Sequence, residues 1–224
     1  MDDIRIIEVK QSVFADNDAD AECLRQQLKE EKTFLLNVMA SPGAGKTSLL
    51  QKVVTELKDK LRIGVMEADI DSDVDTRTMR DLGIDAIQIH TGGMCHLDAD
   101  MTRQGLQELN SKKYDLVFLE NVGNLVCPAE FDTGAVKNMT ILSVPEGHDK
   151  PLKYPLMYES CRLLVINKID VLDYFDFDKE KAEEYAKMRN PEIEIIYASA
   201  KTGEGIEKVA EWIFTQTSKW NQSP

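Results

Sequence analysis

The stretch Ala40-Ser41-Pro42-Gly43-Ala44-Gly45-Lys46-Thr47 constrains this chain more than any other. It follows the apolar run Phe34–Ala40 and precedes a helical pattern from about Lys46 to Leu61. A strand, a glycine-rich turn and a helix in that order make a phosphate-binding loop, here with Ala40 where glycine is usual. Gly43 and Gly45 let the backbone curl so that successive N–H groups face one point. The helix N-terminus adds its positive end. The expected nucleotide-binding set is Gly43, Ala44, Gly45, Lys46, Thr47 and Ser48. Lys46 reaches for the outer phosphates, and the Thr47 hydroxyl is a Mg²⁺ ligand.

The rest of the chain repeats this alternation. Apolar runs at 63–67, 85–90, 116–120, 139–144, 163–167 and 193–198 read as strands. Helical patterns fall near 74–82, 98–111, 178–189 and 205–219. Continuous apolar strands separated by helices predict an α/β fold, a mostly parallel central sheet with helices on both faces. In such sheets ligands bind beyond the carboxyl ends of the strands. With 224 residues and no linker, one domain is expected over 33–219. A helical lead over 1–32 precedes it, and 220–224 reads as a tail.

Two further loops specify the base. Asn167-Lys168-Ile169-Asp170 ends a strand, and Asp170 can accept both N1–H and the exocyclic amine of guanine. Adenine offers neither donor in that geometry, so the carboxylate discriminates. The Asn167 amide ties the site together, and the Lys168 stem lies along the base. Ser199-Ala200-Lys201 follows the last strand and resembles the second guanine-contacting loop of GTPases, where a backbone N–H meets the base oxygen. Three loops in this order predict binding of GTP and GDP.

Acids cluster after the middle strands. Glu120 ends the strand Leu116–Glu120 and is expected on the Mg²⁺ side of the site. Asn121-Val122-Gly123 follows, and Gly123 could turn an N–H toward the γ-phosphate. Asp69 is expected to hold Mg²⁺ or orient the attacking water, and Asp75 to take an active-site role. Asp71 and Asp73 read as solvated. Lys150 and Lys153 interrupt an otherwise acidic chain, and Lys153 is expected to reach nucleotide phosphate, within its own chain or across a dimer. Lys46, Asp69, Asp75, Glu120 and Lys153 are thus the expected catalytic set.

The four cysteines show no CxxC spacing, which argues against a disulfide framework and for a reducing, cytoplasmic setting. Cys95-His96 lies just after one strand, and Cys127 lies just after another. Two thiolates and an imidazole on one sheet edge suit Zn²⁺ or Ni²⁺, with a second chain needed to complete the shell. Cys23 and Cys161 read as bystanders. His90 and His148 are not expected ligands. The balance of 27 Lys+Arg against 40 Asp+Glu, a net charge of −13, argues against a mainly electrostatic nucleic-acid partner. No apolar run is long enough for a membrane span, and the acidic start Met1-Asp2-Asp3 does not read as a signal peptide.

Three blocks together resemble a known family: Gly92-Gly93-Met94-Cys95-His96-Leu97-Asp98, Glu120-Asn121-Val122-Gly123-Asn124-Leu125-Val126-Cys127-Pro128, and Pro145-Glu146-Gly147-His148-Asp149-Lys150-Pro151-Leu152-Lys153-Tyr154-Pro155. They are similar to those of the hydrogenase nickel-incorporation GTPases, the HypB family of SIMIBI-class P-loop GTPases. The sister urease GTPases carry a Cys-Pro-His string instead. The resemblance runs from about Phe34 to Trp212. It implies a GTPase that forms a homodimer when GTP is bound, with Cys95, His96 and Cys127 as metal ligands at the interface. It also implies nickel delivery, together with a companion nickel-insertion protein, to a [NiFe]-hydrogenase large-subunit precursor. The N-terminus departs from some members in lacking a CxxC-type motif and a histidine-rich tract, so delivery would rest on the internal site.

Overall fold

The computed structural model describes residues 6–8, 14–69 and 74–223. Among these the strands are β1 (Ile6–Glu8), β2 (Phe34–Ala40), β3 (Ile63–Asp69), β4 (Asp85–His90), β5 (Leu116–Glu120), β6 (Lys137–Ser143), β7 (Leu163–Asn167) and β8 (Glu194–Tyr197). The helices are α1 (Phe14–Glu31), α2 (Lys46–Leu57), α3 (Val74–Asp81), α4 (Ala99–Leu109), α5 (Cys127–Glu130), α6 (Lys150–Lys153), α7 (Pro155–Glu159), α8 (Lys179–Arg189) and α9 (Ile206–Gln222).

The strands form a single sheet in the order β1-β4-β3-β5-β2-β6-β7-β8, and every neighbouring pair is parallel. Parallel strands need crossover helices, which cover both faces, so the central strands read as unbroken apolar runs. In β2, Phe34, Leu36 and Val38 join Leu49, Val53, Trp212 and Ile213 in the core under α2 and α9. Leu35 points the other way, into the core with Leu24 and Leu28 of α1 and Met101 and Leu106 of α4. Met39 joins a third cluster with Met157, Ile166 and Ala186 beneath α7 and α8. The period of two in a strand sends these neighbours to opposite faces.

β2 lies between β5 and β6, so the chain winds away from it in both directions. Its carboxyl end is therefore a switch point, where flanking connections diverge and leave a crevice. The loop 41–45 sits in that crevice, as the sequence predicts.

Two segments differ from the sequence expectation. The lead over 1–32 contains strand β1, which extends the sheet by pairing Ile6, Ile7 and Glu8 with Gln88, Ile89 and His90. A three-residue strand carries too little periodicity to be read from sequence. The expected tail is also structured. α9 runs through Gln222, Trp220 donates its indole N–H to the Thr33 carbonyl at 3.0 Å, and its ring packs against two of the cores. The lead thus adds a strand to the sheet, and the last helix packs against its cores.

Candidate nucleotide and metal site

Gly45 caps α2 in the left-handed region, at φ 94° and ψ 35°. This conformation turns the start of the helix toward the mouth of the crevice. Asn167, at the end of β7, is the hub that joins the loops. Its Nδ2 donates to the Ala44 carbonyl at 2.9 Å, and its Oδ1 accepts from the Ala200 N–H at 3.2 Å. Lys168 donates to the Gly43 carbonyl at 2.6 Å, laying its stem across the phosphate loop. A cavity of about 500 Å³ opens between these loops, lined by Gly45, Ser48, Asn167, Lys168, Asp170, Ala200 and Lys201 among others. Its walls are the side-chain stems and peptide planes that a purine needs, and Asp170 stands at one edge.

Ser199 donates to Asp170 Oδ1 at 2.6 Å, and Lys201 lies 3.8 Å from the other oxygen. The Ser199 hydrogen bond holds the Asp170 carboxyl below its ordinary range. A depressed acid keeps its charge above the lowered value and loses it only as pH falls through that value. Guanine-nucleotide binding by the native chain is therefore expected to persist as pH falls toward the ordinary carboxylate range, about 4. Ser199→Ala is expected to bring the acid limb of binding up to that range. Fluorescent-GDP titrations over pH check this, and coincident acid limbs would refute it. Within the Ser199-Ala200-Lys201 loop, the Ala200 N–H already donates to Asn167. A bound guanine would have to share or displace that contact.

On the phosphate side, the Thr47 hydroxyl donates to Glu120 Oε1 at 2.9 Å, and Glu120 is buried. A hydroxyl beside a buried carboxylate at a helix N-terminus is a hard oxygen pair, which fits Mg²⁺. Glu67, which the sequence reading passed over as a site residue, lies opposite Glu120 in the β3–β5 register and is also buried. The Thr76 hydroxyl of α3 contacts Glu67 Oε2 at 2.9 Å and Gln88 Oε1 at 2.5 Å. One hydroxyl proton cannot serve both acceptors. Turning the Gln88 amide over resolves this, and gives its otherwise unbonded Nε2 an acceptor. Asp69 ends β3 and Asp75 lies in α3, but their side chains lie outside the described residues, as do Asp71 and Asp73.

Cys95 and Cys127 come together as expected, each half-exposed, and their thiols share a hydrogen bond. That bond and burial push the Cys127 thiol above its ordinary range. His96 is held by an aromatic neighbour. It is 7% exposed, and its ring stacks on Phe131 at 3.6 Å between centroids. Both ring nitrogens are buried without a hydrogen-bond partner, and burial lowers its pKa. Among the described residues no group of three His, Cys, Asp or Glu side chains is poised around one point. Two soft thiols fit nickel or zinc. The imidazole adjacent in sequence is stacked on an aromatic ring, with both nitrogens unbonded.

Lys153 is engaged within its own chain. It closes the one-turn helix α6, pairs with Asp149 at 2.6 Å, and does not line the 500 Å³ nucleotide cavity. Cys161 is fully buried with its thiol pushed up to about 12, and Cys23 is exposed, so both stand apart from the thiol pair. His148 accepts from the Asp178 N–H at 3.3 Å, which fixes it at the start of α8. Glu146, also passed over, joins the phosphate loop through the Ser41 hydroxyl, and accepts from the Ser143 N–H at 2.8 Å. Gly123 lies against Pro42, where a Cβ would sit 3.3 Å from that residue's backbone. The segment from Glu120 to Cys127 therefore touches the phosphate loop directly.

Residues 34–197 match the family model for the CobW/HypB/UreG nucleotide-binding domain. The chain is 43% identical over 212 residues to a hydrogenase maturation factor HypB of Azotobacter vinelandii, covering 95% of this chain and 70% of that protein. It is 44% identical over 212 residues to the HypB of Escherichia coli K12, covering 95% and 73%. The crystal structure of HypB from Helicobacter pylori in complex with nickel superposes with a TM-score of 0.86 at 35% identity, over 92% of this chain and 97% of that one.

Proposed function

This chain belongs to the CobW/HypB/UreG family, on its HypB side, and from that premise we propose that it is a GTP-hydrolysing metallochaperone. Its cargo is nickel, with zinc an alternative occupant, and its destination is a [NiFe]-hydrogenase large-subunit precursor. It acts as a GTP-bound homodimer, in the cytoplasm, with a companion nickel-insertion protein. Among the described residues no helix is long and apolar enough to cross a membrane.

The chemistry is phosphoryl transfer to water, in which positioning and charge neutralisation dominate. Thr47 and Glu120 would hold Mg²⁺, which when bound neutralises charge on the phosphates. Lys46 adds its cation at the outer phosphates. Asp69 orients the attacking water, Asp75 supports the same edge, and Lys153 reaches in from the second chain. Asp170 selects guanine, while Asn167 holds the two base-side loops to the phosphate loop.

The contact of Gly123 with Pro42 carries the coupling. A γ-phosphate that shifts the phosphate loop must shift the segment ending at Cys127. The nucleotide state can change metal affinity only as far as it favours one arrangement of that segment. Nickel titrations with size-exclusion chromatography, run with GDP and with a non-hydrolysable GTP analogue, test this. Dimerisation and a nickel affinity that differ between the two states are expected. Identical elution and identical titrations would refute the coupling.

A further inference from the structure

The lead helix α1 has no part in the reading above, yet it holds both segments that carry the thiol pair. Asn17, in the first turn of α1, is 4% exposed. Its Nδ2 donates to the Asp132 carbonyl at 3.0 Å, just past Cys127 and Phe131. Its Oδ1 accepts from the Ala99 N–H at 3.0 Å, just past Cys95 and His96. One buried amide thus spans the gap between the two thiol-bearing segments. Two turns further along α1, Arg25 donates to both carboxylate oxygens of Asp132 at 2.9 Å. Arg103 of α4 donates to the Asp20 carbonyl at 3.2 Å, tying α1 to the helix that follows His96. These contacts tie α1 to both segments from outside either loop.

We propose that Asn17, supported by Arg25, is a positioning residue for the metal site, holding the Cys95 and Cys127 segments at the separation that nickel requires. The inference rests on the reading of Cys95 and Cys127 as the nickel-binding pair. A donor pair on two loops binds a metal well only when the loops are ordered beforehand, and the outer groups that order ligands commonly govern affinity by about 10- to 100-fold. Asn17 does this from outside the nucleotide site. Its loss should therefore act on the metal and leave the nucleotide alone.

The test uses the full chain with nickel alone, followed by calorimetry and by the thiolate-to-nickel charge-transfer absorption. Asn17→Ala is expected to weaken nickel binding about tenfold or more and to shift or broaden that band, with GDP affinity unchanged. Arg25→Met is expected to do the same to a lesser degree, and Arg25→Lys to recover part of the loss. Should Asn17→Ala fail to fold, the Arg25 pair carries the test. Variants with native GDP affinity that keep native nickel affinity and an unchanged band would overturn the inference. Cys95→Ala separates this from the premise. If it binds nickel as the native chain does, the thiol reading fails and this inference with it. If it loses nickel while the α1 variants do not, only this inference fails.

Discussion

Asp170→Asn is expected to cost about a hundredfold or more in GTP affinity while leaving the fold intact, because two charge-assisted hydrogen bonds are lost at once. The Asp170 carboxylate presents two acceptors at the edge of the base cavity, and Ser199 keeps it charged. Guanine brings two donors to them. An amide at this position offers one acceptor and one donor, so it faces the exocyclic amine with an N–H. Xanthine carries a carbonyl in place of that amine, and its oxygen would accept from the new N–H. The variant should therefore gain xanthosine triphosphate relative to GTP. Competition titrations of GTP, XTP and ATP against a fluorescent nucleotide read the change. An unaltered GTP preference would mean that the base lies elsewhere.

The second large effect falls on the phosphate loop. Gly45 sits at φ +94°, and a Cβ there would lie 2.7 Å from Asn167 Nδ2. Gly45→Ala pays left-handed strain of roughly 1–2 kcal/mol. It also pushes Asn167 off the Ala44 and Ala200 partners that align the three loops. The expected result is loss of measurable GTP binding and a melting midpoint lower by several degrees, since about 1 kcal/mol shifts a domain of this size by ~2–4 °C. Gly43→Ala is the control. Its φ is +76°, but no neighbour lies within 4 Å of the added Cβ, so it carries the strain without the displacement. Equal effects from the two would show that backbone strain alone matters, and that the Asn167 hub does not.

Much of this site was legible in the sequence because its parts are local. A phosphate loop is one strand, one turn and one helix, and its glycines announce the conformation they adopt. Strands β4, β5 and β7 fall where the apolar runs place them, at Asp85–His90, Leu116–Glu120 and Leu163–Asn167. The pairing of Cys95 with Cys127 followed from two strand ends on one sheet edge. The surroundings of His96 were not legible, because its neighbour in space is Phe131, far away in sequence. Adjacency to Cys95 says where the backbone goes and nothing about which ring the imidazole meets. Lys153 likewise has a local partner. Within one chain its nearest charge is Asp149, one turn away, and a basic residue at (i, i+4) from an acid takes the local partner.

Sequence alone determined the parallel α/β fold, the placement of three loops at one end of the sheet, and the meeting of two thiols. These depend on short-range periodicity and on chemistry fixed by residue type. Tertiary structure decided that Asn167 engages the Ala200 N–H, that Glu67 faces Glu120 across β3 and β5, and that Trp220 closes on Thr33. It also decided that Asn17 joins Ala99 to Asp132. Each is a contact between residues that lie far apart in the chain, whose partners follow from the strand order and helix packing. A side chain's type states what bonds it can make, but only the packed fold states with whom.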